Sequence, residues 1–549
     1  MLKQEFRFSL PFAGLVVGLV VFIFFLSLPT FEAFRLLFEA KFPTQTAENI
    51  EIAADSMQKA FALLVLMIIW WLAEAVPIPV TALVPAVLIP FLDINRLTDA
   101  GLKKVSSVEI LSNYADPIVF LFLGGFILAS AMTYHQLDRR ITFKLLSYPI
   151  FTRSPQRLLL GIMLATAFVS MWINNTAVAA MLMPIGVGIA TSTASLSGGT
   201  QSAQTTRNFA ACIAISIAYS ASIGGIATIV GSTPNGIAVS MLKQQQIADM
   251  TFVSWLPYGV PAMLLILLFA YFYLCKALPF KEISFADIDD KVKMELEKLG
   301  KMQSGEQRTL YVFVITAFCW LFLPFLKGVF PSFIDKILTA MDTWVVAMLS
   351  ALALFFIPQG KSLTQVENGR TGEKEKQASS ENNQKDATSA RLVSWEHAQK
   401  SVDWGALILF GGGLAMSKIL FETKSVVFIA EQITSLLGEP TLIVYVLTLT
   451  LFVNLMTEVS SNTAVASMMT PIAISIATSS GFSSVALCIA IAFGASMAFM
   501  LPIATPPNAI AYGTGLFKLK DMVRVGFVLN LVSTLIITLV IMLNEWLNY

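Results

Sequence analysis

The chain has 549 residues, 56% of them hydrophobic and only 13% charged, with a net charge of +1 and a mean hydropathy of +0.73. Soluble globular proteins carry about 25% charged residues, so that class is excluded; the near-neutral net charge itself says nothing about nucleic acid, and with no basic domain present no nucleic-acid partner is expected. Many apolar runs reach the roughly 17–25 residues that a bilayer crossing requires, which makes this an all-α polytopic membrane protein embedded in lipid.

The first apolar run, 10–29, follows MLKQEFRF. It is too long for the hydrophobic core of a signal peptide and no A-x-A site follows it, so it reads as a retained first span, with an outer loop completing residues 1–58. Apolar segments follow at 59–76, 78–93, 117–133, 157–192, 208–240 and 255–278. A charged stretch at 281–308 reads as a cytoplasmic surface helix, after which apolar segments resume at 309–327, 340–358, 404–420, 440–479, 484–516 and 523–546. The polar, low-complexity stretch at 359–402 cannot bury enough apolar surface to order itself and is expected to be a flexible cytoplasmic loop.

Basic residues orient the chain in the cell membrane. Arg139, Arg140, Lys144, Arg153, Arg157, Lys518, Lys520 and Arg524 fall on the same side as 281–308 and 359–402. The opposite connections 241–254 and 421–439 hold only Lys243 and Lys424, and 94–116, with Arg96, Lys103 and Lys104, is the exception. The positive-inside rule therefore predicts a cytoplasmic N-terminus. Cys212, Cys275, Cys319 and Cys488 are scattered singly, and His135 and His397 are the only histidines, so no metal-ligand spacing exists.

One phrase is written twice: NTAVAAMLMPI from Asn175 and NTAVASMMTPI from Asn462, 287 residues apart. Asp116 and Asp403, Gly124 and Gly411, and Pro184 and Pro471 repeat at the same offset, while GSTPN at 231–235 and ATPPN at 504–508 repeat at an offset of 273. Ordered matches at near-constant spacing indicate duplication. With the N-terminus inside, the two copies (59–280 and 309–549) run in opposite directions, an inverted repeat common among secondary transporters. Each copy holds five spans and a re-entrant hairpin, at 157–192 and 440–479, giving eleven spans and two hairpins with the leading span.

Each Asn-Thr pair stands where an apolar run is interrupted and a helix restarts. Asn and Thr suit helix N-caps, but irregular backbone at membrane depth is tolerated only where protein buries it or a cavity hydrates it. Two such tips entering from opposite faces would meet near the midplane. Their helix N-termini suit a carboxylate or other oxyanion, and their amide, hydroxyl and freed carbonyl oxygens suit a hard cation such as Na⁺. GSTPN and ATPPN break the spans 208–240 and 484–516 in the same manner, since proline removes a donor. No Lys or Arg lies in either phrase, which argues for a co-transported cation or a counter-substrate. Glu458 matches Met171 of the first copy, so it lies outside the symmetric set and is assigned a structural or gating role. Glu74, beside Trp70 and Trp71, is expected to pair locally, and Asp116 and Asp403 to cap span starts.

SNTA at 461–464, NNTA at 174–177, WWLAEAVPIP at 70–79, FGGGLA at 410–415 and the GSTPN/ATPPN pair together resemble the divalent anion/sodium symporter family of di- and tricarboxylate transporters, over nearly the whole chain. The resemblance implies a homodimer whose protomers each carry a scaffold and a transport domain that slides as an elevator. It implies substrate contacts from Asn174, Asn175, Thr176, Ser461, Asn462 and Thr463, completed by Ser232, Thr505 and Pro506. It places one sodium site at Ser170, Asn174, Asn175 and Gly231, and a second at Thr457, Ser461, Asn462 and Ala504. Asn174 departs from the family's serine: its oxygen can still serve a cation, but its NH₂ can instead fill the site. The family holds sodium-coupled symporters and sodium-independent exchangers, and both readings stand here. A sulfate transporter, a channel and a membrane enzyme using Glu458 are weaker alternatives; no nucleophile–base pair accompanies that acid.

Overall fold

The computed structural model describes residues 10–196, 203–280, 288–360, 391–438 and 440–548. Nearly everything described is helical, apart from a two-stranded antiparallel hairpin that pairs Asn95–Thr98 with Gly101–Lys104. Among the described residues, nine helices are long and apolar enough to cross a membrane. The helices Ser332–Ala340 and Thr343–Phe356 are together apolar enough to cross but meet at a bend of 79°, the geometry of a broken span or a re-entrant loop, and Asp342 caps the second helix through Thr343 N.

Burial separates interior from periphery. In the most apolar stretch of Gln204–Gly225, 94% of residues are buried, against 17% in Leu10–Ser27 and 28% in Ser304–Leu326. Gln204–Gly225 is therefore wrapped by protein, and the other two present apolar side chains such as Val20, Phe318 and Phe325 to lipid. Close approach in the interior depends on small residues, as in membrane helix packing generally. A Cβ on Gly224 would stand 2.4 Å from Ala167 O, and one on Gly412 only 2.1 Å from Ala82 O.

The order of elements occurs twice. A span (Ser107–Tyr134, or Trp404–Glu422) is followed by a short helix (Leu137–Leu146, or Ser425–Leu437). Next come the two arms of a helical hairpin: Pro155–Ser170 with Asn175–Leu196, or Leu442–Thr457 with Asn462–Ser480. A broken helix follows (Ala203–Gly225 with Thr233–Gln244, or Ser484–Ser496 with Pro506–Gly513), and then a long final span (Phe252–Ala277, or Leu519–Asn548). Local geometry repeats as well. Gln136 and Lys424, which open the short helices, both adopt left-handed backbone with φ 58°. Asp116 and Asp403 cap their spans through Ile118 N and Ala406 N, each at 2.9 Å.

Some boundaries differ from the sequence expectation. The span expected at 59–76 begins at Ala47, capped by Thr46 through Asn49 N. Its polar first turns are covered by the amphipathic helix Glu32–Lys41, through Phe34, Leu37 and Phe38. Most of the loop expected at 359–402, and the first part of the surface helix expected at 281–308, lie outside the described residues. Residues 391–402 are ordered, which corrects the loop's extent. Leu392 N donates to Ile357 O at 3.0 Å, and Ser394 caps the helix Trp395–Ser401. Residues 288–298 are helical.

Candidate functional site

The hairpin tips are built by capping. Asn174 Oδ1 accepts from Thr176 N at 2.8 Å and so starts the second arm of hairpin one. In hairpin two the equivalent Ser461 is extended and makes no side-chain cap. The broken helices restart after Ser232 and Thr505, with prolines in their first turns. Thr505 Oγ1 accepts from Asn508 N at 3.3 Å.

Two carboxamides hold the breaks open. Asn235 Nδ2 donates to Gly225 O (2.9 Å) and Thr228 O (2.7 Å). Asn508 Nδ2 donates to Ala498 O (3.0 Å) and Leu501 O (3.1 Å). In each case the acceptors lie 10 and 7 residues back, so the same brace is built in both copies. Both asparagines are fully buried.

The tips and breaks line a half-open cavity of about 600 Å³. Asn174, Asn175, Thr176, Ser232, Ser461, Asn462, Thr463, Thr505 and Pro506 all line it, together with Gly231 and Ala504. Ser170 and Thr457 are fully buried behind this wall. The copies interlock here: Ser232 and Ser496 hydroxyls share a hydrogen bond at 2.9 Å, and those of Thr233 and Thr463 one at 2.5 Å.

Among the described residues, no Lys, Arg or His lines the cavity. Four helices begin at it, at Asn175, Thr233, Asn462 and Pro506. Each brings about half a positive charge and free N–H groups, and the Thr and Ser hydroxyls add donors. Such a wall suits an anion without a formal cation from the protein. Two acids also line it: Asp403, whose carboxylate is engaged in its cap, and Glu74, which has no ion-pair partner among the described residues.

Sodium ligation can be tested against the oxygens present. Behind the first tip, Ser170 Oγ stands 2.7 Å from the Asn175 carboxamide and donates to Ala221 O at 2.7 Å. Behind the second, Asn462 Oδ1 is buried with no hydrogen-bond partner among the described residues, and so is Ser460 Oγ. Thr457 Oγ1 donates to Asn454 O, leaving its lone pairs free. Neutral oxygens of this kind suit a hard monovalent cation.

Glu458 is a clamp. Its carboxylate accepts from Phe499 N (2.7 Å), Met500 N (2.8 Å), Leu501 N (2.9 Å) and Asn530 Nδ2 (2.7 Å). It thereby ties hairpin two to the second break and to the last helix. In the first copy Thr228 acts instead, its hydroxyl donating to Met171 O at 2.5 Å. Sequence reasoning missed Ser460, Ser222 and Thr233 as lining residues, along with the aromatic wall of Phe122 and Phe126. A signal existed for Ser460, as the serine preceding SNTA.

Two helical hairpins and two broken spans that converge on one cavity in a polytopic helical chain are the architecture of secondary transporters. The family described as the sodium:sulfate symporter transmembrane region matches residues 51–548. The chain belongs to that family, the divalent anion/sodium symporters. It is 32% identical over 474 residues to a sodium-dependent dicarboxylate transporter, SdcS, of Staphylococcus saprophyticus, covering 86% of this chain and 83% of the relative. It is 30% identical over 473 residues to the protein of the same name from Staphylococcus aureus strain USA300, with the same coverage. The fold is similar to the crystal structure of the Alcanivorax borkumensis YdaH transporter, with a TM-score of 0.51 at 11% identity, covering 84% of this chain and 96% of that one.

Proposed function

We propose that the protein is a sodium-coupled symporter of di- and tricarboxylates, C4-dicarboxylates such as succinate, malate and fumarate first among them. The observation that carries this reading is the cavity wall: four helix N-termini and paired hydroxyl and amide donors, with no basic residue, and oxygens behind the tips available to a cation. A dianion held there needs added positive charge, and a co-bound Na⁺ supplies it. The donors are divided between two hairpin tips, which suits an anion with a charged group at each end better than a compact sulfate. The relatives named as sodium-dependent dicarboxylate transporters support the same assignment.

On this reading the two copies form an inverted repeat, the N-terminus is cytoplasmic, and the protein is a homodimer in the cell membrane. The hairpins and broken helices form a transport domain that slides against a scaffold, carrying the substrate between the tips. Succinate uptake into proteoliposomes, with and without an inward sodium gradient, tests the proposal. Uptake that ignores the gradient but requires internal dicarboxylate would replace symport with sodium-independent exchange.

A further inference from the structure

The two duplicated span starts stand in opposite circumstances. Asp116 and Asp403 match at the 287-residue offset, and each caps its own helix. At Asp116 the first broken helix, Thr233–Gln244, closes onto the span Ser107–Tyr134. Ser240 Oγ donates to Asp116 Oδ1 at 3.0 Å, and Gln244 Nε2 donates to Asp116 Oδ2 at 2.9 Å and to Asn113 Oδ1 at 3.3 Å. Lys243 Nζ reaches Asp342, the cap of Thr343–Phe356, at 3.0 Å, and pairs with Asp249 of its own connection at 3.2 Å. A Cβ on Gly236 would lie 2.4 Å from Phe122 Cε2 and 3.2 Å from Ile118 Cγ1, so no gap separates the two helices there.

At Asp403 the equivalent surfaces are open. Asp403 lines the half-open cavity, as do Pro506, Pro507 and Ala509 of the second broken helix. Among the described residues, Asp403 takes no hydrogen bond from that helix; its carboxylate accepts from Ala406 N in its own cap. Gly405 and Ala406 line the cavity too, whereas their matches Ile118 and Val119 are buried. The second copy also lacks the means to close in the same way. At the offset of 273, Ser240, Lys243 and Gln244 are answered by Gly513, Leu516 and Phe517, which carry no side-chain donor.

We infer that Ser240, Lys243 and Gln244 form a one-sided latch, which holds the first broken helix against the scaffold spans and keeps the cavity closed on the side of the 241–254 connection. The inference rests on the proposed sliding of hairpins and broken helices against a scaffold, in which that side is the outer one. In an inverted repeat that alternates, the surroundings of Asp116 and Asp403 exchange. Opening outward therefore breaks the contacts to Asp116, Asn113 and Asp342, and Gly513, Leu516 and Phe517 form no polar contact in return. The protein is thereby biased toward the state that opens to the cytoplasm. The partly buried bonds to Asp116 carry most of that bias, because the Lys243–Asp342 pair is exposed and such pairs contribute little.

The test uses the purified full-length chain in detergent with two reporters, Ile118→Cys on the closed side and Ala406→Cys on the open side. Each is labelled with a maleimide and read against the parent chain, whose own cysteines set the background. Adding Ser240→Ala and Gln244→Ala should speed labelling of Ile118→Cys about fivefold, the effect of losing about one net hydrogen bond on the population of the open state. The same pair should not speed labelling of Ala406→Cys, and Lys243→Gln should change Ile118→Cys by less than about twofold. Faster labelling of both reporters would mean a loosened fold and would overturn the latch. Labelling of Ile118→Cys at one rate with and without the latch substitutions would overturn it too, and leave the sliding domain standing. An Ile118→Cys chain that takes up succinate yet never labels would overturn both.

Discussion

Replacing Glu458 by glutamine changes the charge and one atom at the centre of the second break. The carboxylate is buried and accepts four hydrogen bonds, three on Oε1 and one on Oε2. Hydrogen bonds to a charged group contribute about 1.5–3 kcal/mol each, against about 1 kcal/mol for neutral pairs. In the glutamine variant three bonds lose their charge assistance. The amide nitrogen also faces Leu501 N–H, donor against donor, which orphans that group. Together these losses come to about 3 kcal/mol, allowing for relaxation. The break that carries Ala504 and Thr505 would then loosen. Glu458→Gln should lower the thermal midpoint in detergent and raise the succinate KM in proteoliposomes. Asn530→Ala should do less in the Glu458→Gln background than alone, because the two share a bond. A Glu458→Gln variant with wild-type midpoint and KM would refute the clamp.

Asn462→Ala should abolish uptake while the protein still inserts and elutes as the wild type on size-exclusion chromatography; normal uptake would show the cavity assignment to be wrong. Asn235→Ala and Asn508→Ala each remove two hydrogen bonds to carbonyls at the breaks, those of Asn235 fully buried and one of those of Asn508 partly so, and should cost about 2–3 kcal/mol and about 1–3 kcal/mol respectively in thermal or denaturant unfolding; near-neutral effects would mean the breaks hold without their braces. At the loop end of the Ser107–Tyr134 span, burial holds His135 below the ordinary histidine range, against the opposing pull of its bond to Leu392 O and the charge of Glu306. Its neutral form is therefore favoured by folding, so the unfolded chain binds more protons. Stability should fall as pH drops through the ordinary histidine value toward the folded one. Thermal midpoints between about pH 8 and about pH 5 should show a smaller acid loss for His135→Gln than for wild type.

The hairpin tips and helix breaks were legible in the sequence because polar residues within apolar runs must serve some purpose at membrane depth. Duplication then made Asn175 and Asn462, or Asn235 and Asn508, conspicuous together. The helix Glu32–Lys41, the short helices Leu137–Leu146 and Ser425–Leu437, and the strands at 95–104 were not legible, since a search for long apolar runs finds segments of membrane-crossing length and passes over short ones of mixed polarity. Phe34 and Phe38 are apolar, but they pack onto another helix from a segment of mixed polarity. Glu458 stood out by sequence, whereas its partners Phe499, Met500, Leu501 and Asn530 lie 41 to 72 residues away and only folding brings them together. The repeat also carries its own limit. Duplicated sequence implies duplicated chemistry, yet Ser170 Oγ donates to the Asn175 carboxamide while Asn462 Oδ1 is buried with no hydrogen-bond partner among the described residues. That difference arises from non-identical neighbours: Ile173 against Ser460, Met171 against Glu458, and Asn174 against Ser461.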